Sequence, residues 1–317
     1  MTGATPSRIV ITGGAGFIGS HLCRRLLADG HRVVAIDNRF NSIAGSLHDV
    51  EGHPHFEFME RDVTQPFTVP APVAGVLHFA TPADPALFHS KPVQTAETAA
   101  LGTSVMLGIA RTHACRFLLA SSDAVYGDPS TSPQTESTLG TLDPVGPRSA
   151  YDEGKRYSEA LTTAYRRQFG LNTTIARIFH SFGEGMPNDG RLIPTFIGQA
   201  LRGEPLRIAG DGAQTRAYCY IGDLVTGLLA LFRSSHPGPM NIGNTREISV
   251  LALARLIVSL TGSRSGIAFG PPLQGDRPSR CPDISSARQN LGWEPCVQLE
   301  EALRMTIENI RSRGVTP

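Results

Sequence analysis

Residues 8–19 read Arg-Ile-Val-Ile-Thr-Gly-Gly-Ala-Gly-Phe-Ile-Gly, a β-branched run that stops at glycines 13, 16 and 19. Helical spacing of Phe17, Ile18, His21, Leu22, Arg25 and Leu26 follows at once. A strand that turns through glycines into a helix, with no residues to spare, is the opening unit of a parallel α/β sheet. The next segments agree. Arg32–Asp37, 56–60, 75–79 and 116–120 are short apolar runs, and a long helical pattern fills 92–112. A second long helix is expected over 151–169 and a strand over 172–178. Near-continuous apolar strands alternating with helices imply a doubly wound sheet covered on both faces.

After about Phe182 the texture changes. Turns rich in Gly, Pro and Asp (183–185, 187–190, 210–212, 236–239) separate short elements. The expected organisation is a nucleotide-binding domain over residues 1–181. A smaller C-terminal α/β substrate lobe is expected over 182–317, with some chain exchange between the two.

A net charge of +1 gives no basic surface for nucleic acid or an anionic membrane. No apolar run approaches the roughly 20 residues that span a bilayer, and the N-terminus lacks the apolar core of a signal peptide. The five cysteines (23, 115, 219, 281, 296) contain no CxxC pair and read as free thiols. The histidines form no ligand-spaced cluster, so no metal is expected. A cytoplasmic protein is the expectation.

The glycine turn carries the first chemistry. Glycine lets backbone approach a pyrophosphate, and the helix start beyond it offers N–H groups and partial positive charge. Asp37, ending the second strand, is placed to accept hydrogen bonds from both ribose hydroxyls, which favours NAD over NADP, with Arg39 beside it as the opposing signal. Gly13, Gly16, Phe17, Ile18, Gly19, Asp37 and Asn38 are therefore cofactor candidates. Asp62 and Val63, after the third strand, are candidates for the adenine. Phe79 and Ala80, after the fourth, complete the set.

Tyr151 and Lys155 carry the second. Four residues apart, they share one helix face. A free phenol titrates near about 10; a neighbouring ammonium and an oxidised nicotinamide would both favour the phenolate. The pair reads as a base that strips a hydroxyl proton while a nicotinamide takes the hydride.

Glycines and Tyr-Lys pair together, with GGAGFIGSHL, DNRF, RDV, SSDAVYGDP, YDEGKRYSE, GDGAQTRAY and LGWEP in order, resemble the extended short-chain dehydrogenase/reductases. Within them the resemblance is to the NAD-dependent nucleotide-sugar epimerases and dehydratases, over nearly the whole chain. HFATPADP, YDEGKR, PNDGR and CPDISSAR point to UDP-glucuronate decarboxylases and their 4-epimerase relatives. The resemblance implies a Rossmann domain, a nucleotide-sugar lobe, a UDP-hexuronate substrate and a homodimer formed through a helix bundle.

It also implies roles. Ser122 matches the hydroxyl that bridges substrate and Tyr151. Family decarboxylases carry Thr-Ser-Glu before Val-Tyr-Gly; here the triplet is Ser122-Asp123-Ala124. Alanine transfers no proton, and a small residue there resembles the 4-epimerases. The leading expectation is thus 4-epimerisation of UDP-glucuronate to UDP-galacturonate through a transient 4-ketone, without decarboxylation. Alternatives are a decarboxylase giving UDP-xylose, using Asp123 in place of the missing glutamate, a UDP-glucose/galactose 4-epimerase, and a nucleotide-sugar sensor without turnover. Arg191 is the candidate grip on the sugar carboxylate, by its planar fork; Thr81 is a candidate sugar contact. Arg216 and Arg280 resemble the family's diphosphate-binding arginines. His180 stands where the family usually has asparagine, and Ala99 replaces an asparagine that helps order the active-site helix.

Overall fold

A computed structural model describes residues 7–128, 131–272 and 279–314. Six strands, β1 (Arg8–Thr12), β2 (Arg32–Asp37), β3 (Phe56–Glu60), β4 (Gly75–His78), β5 (Arg116–Ser122) and β6 (Thr173–Ile178), form a parallel sheet with the short strand Met240–Ile242. The spatial order is Met240–Ile242, β6, β5, β4, β1, β2, β3. The chain builds outward from β1 to β3, then returns to place β4 on the other side of β1. That reversal opens a crevice beyond the carboxyl ends of β1 and β4, where such sheets take their ligands.

Period-two alternation decides which layer each strand residue enters. Ile9 and Ile11 of β1 point into one core with Leu22 and Leu26 of the helix α1 (Phe17–Ala28). Val10 points into the other, with Val34, Val76 and Leu107. The later helix Ile221–Arg233 packs on α1 in the first layer. Two-stranded pairs follow along the later chain: Leu206–Ala209 with Ile267–Gly270, and Thr215–Ala217 with Glu247–Ser249.

Two elements differ from the sequence pattern, and both bear on the site. β5 runs two residues further than expected, to Ser122, so that serine stands at the strand's mouth. The long helix over 92–112 is interrupted by a π turn at Thr98–Gly102 between Pro92–Glu97 and Thr103–Thr112. The interruption lies against the helix Ser149–Phe169, where a methyl on Gly154 would stand 2.9 Å from the Ala99 side chain. Among the described residues, no helix is long and apolar enough to cross a membrane.

Candidate active site

The glycine turn after β1 is shaped by contacts that exclude larger residues. Gly13 has φ +68°, and a Cβ on it would lie 2.9 Å from the Phe79 carbonyl carbon. A Cβ on Gly19 would lie 2.0 Å from the Gly13 carbonyl oxygen. No side chain caps the start of α1 at Gly16, which leaves that end of the helix to a ligand.

A cavity of about 430 Å³ opens there. Gly13, Gly16, Phe17, Ile18 and Gly19 form one wall, Asp37 and Asn38 its end, and Val63, Phe79 and Ala80 the opposite wall. Asp37 accepts hydrogen bonds from the Ala15 N–H (3.1 Å) and the Arg39 N–H (2.8 Å). The Arg39 guanidinium turns instead to Glu60 (3.4 Å) and lies 4.4 Å over the Phe58 ring. The ribose end of the cavity is therefore walled by a carboxylate. These residues fit a dinucleotide without a 2′-phosphate. Asp62 lies outside this cavity. It lines an adjacent one, where its carboxylate accepts from the Thr64 N–H (2.9 Å), the Thr64 hydroxyl (2.8 Å) and Asn38 Nδ2 (3.2 Å).

Tyr151 and Lys155 project from the helix Ser149–Phe169, both buried. Lys155 Nζ donates to the Ala120 carbonyl at 2.8 Å and lies 5.7 Å from the Tyr151 ring centre. Phe88 stacks on the Tyr151 ring at 5.3 Å and 18°, and Ala124 joins them in a small apolar cluster. Arg148 lies 5.1 Å over the other aromatic, Phe88, and pairs with Asp152 at 3.3 Å.

The expectation that the lysine ammonium makes the phenol acidic is not realised in the protein alone, because burial dominates both groups. It pushes the Tyr151 phenol up to about 12, with Asp123 and Asp152 adding to the rise and Ser122 and Arg148 opposing it. It pulls the Lys155 ammonium down to about 7 against Glu159. When bound, NAD supplies both the hydride acceptor and a cationic ring that favours the phenolate.

Ser122 begins a short 3₁₀ turn over Asp123–Tyr126. Its hydroxyl accepts from the Ala124 N–H (3.2 Å) and donates to Asp123 (3.0 Å), and its presence favours the Tyr151 phenolate. Asp123, itself buried, also meets the half-buried Arg280 guanidinium at 2.5 Å. Burial disfavours the Asp123 charge, but Arg280, His180 and the hydrogen bonds from Arg280 and Ser122 outweigh it and hold the carboxyl at about 2. Asp123 thus carries no proton near neutrality. Any proton that Asp123 passes to a sugar must first be taken up against the Arg280 charge.

The other sugar-side candidates divide. His180 lies beside Tyr218, ring edge to face at 5.8 Å. Arg216 is buried in Thr215–Ala217, one NH donating to the Thr215 carbonyl at 2.7 Å, and the Ala217 N–H approaches the Arg280 carbonyl at 3.4 Å. Thr81 and Arg191 instead line the cofactor cavity, where Arg191 is chelated by Asp189 (Nε–Oδ1 2.9 Å). Phe88, Arg148 and the Asp123–Arg280 pair are the contacts sequence reasoning missed. Phe88 sits in the six-residue helix Pro85–Ser90, three residues past the end of the HFATPADP stretch. Among the described residues no group of His, Cys, Asp and Glu is placed to hold a metal.

Known proteins resemble this chain in sequence and in fold. A UDP-glucuronic acid decarboxylase of Danio rerio is 47% identical over 95% of this chain and 72% of its own length. An Arabidopsis thaliana UDP-glucuronic acid decarboxylase is 44% identical over 98% of this chain and 90% of its own. Among solved structures, a UDP-glucuronic acid 4-epimerase from Bacillus cereus, with UDP-glucuronic acid and NAD, superposes with a TM-score of 0.86. It is 26% identical, covering 96% of this chain and 99% of that one. A UDP-glucose 4-epimerase from Thermotoga maritima superposes with a TM-score of 0.88 at 28% identity, covering 96% of this chain and 99% of that one. The family model matches residues 9–243, a span that includes the glycine cradle, Ser122, Tyr151 and Lys155, and the chain belongs to the NAD dependent epimerase/dehydratase family, with NAD as its cofactor.

Proposed function

We propose that this protein oxidises UDP-glucuronate at C4 and releases its C6 carboxylate as CO2, giving UDP-xylose. The observation that carries the proposal is the 42–47% identity, over 95% or more of the chain, to proteins named UDP-glucuronic acid decarboxylases. It overturns the expectation of 4-epimerisation without decarboxylation. That expectation treated the missing acid at Ala124 as a block on CO2 loss, and the chemistry does not require one there. A β-keto acid expels CO2 by passing the bonding pair into the neighbouring carbonyl. What that step needs is stabilisation of the developing enolate oxygen. The hydroxyls of Ser122, at the end of β5, and of Tyr151, on the helix beside it, are the groups to supply it.

In this reading Tyr151 takes the C4 hydroxyl proton, and Ser122 holds O4 against it. Phe88, stacked on the phenol, keeps the ring in one orientation. UDP-glucuronate and one proton become UDP-xylose and CO2, and returning the hydride to C4 restores the cofactor. The segment after residue 181 is assigned to the nucleotide, with Arg216 and Arg280 toward the diphosphate. Two copies are proposed to pair through the helices bearing the exposed Val93 and Tyr157; sedimentation at a single-chain mass would refute that.

The function is tested by incubating the purified protein with UDP-glucuronate and NAD, following anomeric proton signals and evolved CO2. UDP-xylose with one CO2 per sugar is expected. UDP-galacturonate without CO2 would sink the proposal.

A further inference from the structure

A chain of buried hydrogen bonds, absent from the chemistry above, runs from the cofactor wall to the catalytic helix. At one end the Phe79 and Ala80 N–H groups donate to Thr12 Oγ1, at 3.2 and 3.3 Å. Thr12 meets His78 Nδ1 at 2.7 Å, and His78 Nε2 meets Thr103 Oγ1 at 3.3 Å. Thr103 donates to Ser158 Oγ at 3.1 Å. The Ser158 hydroxyl ends the chain between the Ala99 and Gly154 carbonyls, each 2.9 Å away. All four side chains are buried.

The two ends fix the direction of every bond. Backbone N–H groups only donate and carbonyls only accept. The Thr12 hydroxyl must therefore donate to Nδ1, and Nε2 must carry the proton given to Thr103. A second proton on His78 would face an oxygen already accepting twice, so the chain holds only with a neutral imidazole. Burial, with Lys155 nearby, supplies that condition by pulling His78 down to about 3.

The chain joins the elements whose relative placement the reaction needs. Phe79 and Ala80 line the cofactor cavity. Ala99 belongs to the π turn, and Ser158 sits one turn beyond Lys155 on the helix that carries Tyr151. We infer that His78, Thr103 and Ser158 are positioning residues, whose hydrogen-bond chain sets the depth and rotation of the Tyr151–Lys155 helix against the cofactor wall. The π turn serves this arrangement by presenting the Ala99 carbonyl sideways to Ser158, where the Gly154–Ala99 approach brings the two helices together.

The test follows the Tyr151 phenol directly. Tyrosinate absorbance of the NAD-loaded protein is titrated, and the curve of the Tyr151→Phe variant is subtracted. The groups around this phenol are Ser122, Asp123, Asp152 and Arg148, none of them altered by the test. Thr103→Val keeps the volume and removes the link. It is expected to move the Tyr151 midpoint by about one pH unit, the worth of one buried hydrogen bond, and to lower kcat about tenfold with KM held. Thr103→Ser, which restores the hydroxyl, should return both values to within about twofold of wild type. A Thr103→Val protein that keeps the wild-type midpoint overturns the inference. So does loss of fold in both Thr103→Val and Ser158→Ala, which would leave these residues a purely structural part. The titration uses no sugar nucleotide, so its outcome is separate from that of the decarboxylation assay.

Discussion

The glycine cradle of the cofactor cavity and the carboxylate at its end come from one stretch of chain, from Gly13 to Asp37, whereas the wall proposed to face the sugar is assembled at long range. Asp123 and Arg280 are 157 residues apart and meet in one ion pair. Tyr151 is stacked on Phe88, which lies beyond the last residue of any motif quoted for that stretch. The first wall is fixed by backbone shape, since its glycines cannot become larger. The second is fixed by charge and stacking, which depend on partners brought from elsewhere. A local wall can be reused for one cofactor across many reactions. A distributed wall is where a reaction's outcome is decided, and where single departures such as Ala124 mislead when taken alone.

The largest expected effect separates the two walls. Tyr151→Phe removes the proposed base but leaves the glycine cradle untouched. Turnover of UDP-glucuronate should fall by roughly 10³-fold, within the range for a positioned acid–base group. NAD affinity, measured by calorimetry, should stay within about twofold, because the cradle holds most of the dinucleotide. An equal loss of both would mean that the walls are not separable.

Next in size is the ion pair. Arg280→Ala leaves the Asp123 carboxylate buried without its cation, which typically costs about 3 kcal/mol. Chemical denaturation should register that loss. Asp123→Asn added to Arg280→Ala should recover part of it, since the uncompensated charge is gone. Simple additivity of the two single variants would show that the pair is not coupled, and would remove the argument that charge organises this wall.

The cradle has its own test. Gly19→Ala places a methyl 2.0 Å from the Gly13 carbonyl oxygen, while a methyl on Gly108 meets nothing within 4 Å. Because the clash is with backbone, the turn itself must move. NAD binding should weaken about 100-fold for Gly19→Ala and stay unchanged for Gly108→Ala. Tolerance of Gly19→Ala would break the claim that backbone shape alone fixes this wall.

The same contrast explains what could be read from the chain. Gly13, Gly16 and Gly19 follow an apolar strand at fixed spacing, and Tyr151 and Lys155 share a helix face, so local geometry is encoded locally. The sheet was legible for the same reason, down to Arg32–Asp37 and Phe56–Glu60. The π turn was not, because it answers to Ser158 across a helix interface. Arg191 is a case of chemistry without placement: its fork suits a carboxylate, and the one it holds is Asp189, two residues away. The ionisation of Asp123 depends on Arg280, His180 and Ser122 together, and the last of these alone is its neighbour in sequence.

The smallest effect probes the seam between the walls, where His78 sits. In the folded protein its imidazole titrates at about 3, against 6.5 when unperturbed. Between those values the unfolded chain binds more protons, so stability rises with pH. The contribution of neutral His78 is complete above about 6.5 and is lost as pH falls, by roughly 1.4 kcal/mol per unit. Lys155, at about 7, holds its proton in both states over most of this window and adds little slope. Asp123, at about 2, acts only below about pH 4. His21, also lowered by burial, works in the same direction as His78 and leaves a remainder. Denaturation midpoints between pH 6.5 and 5 should therefore fall steeply in the wild type and less steeply in His78→Gln, whatever that substitution costs at neutral pH. Parallel slopes in the two proteins would mean that His78 is not held neutral, and the one-way hydrogen-bond chain between the cofactor wall and the catalytic helix would lose its central link.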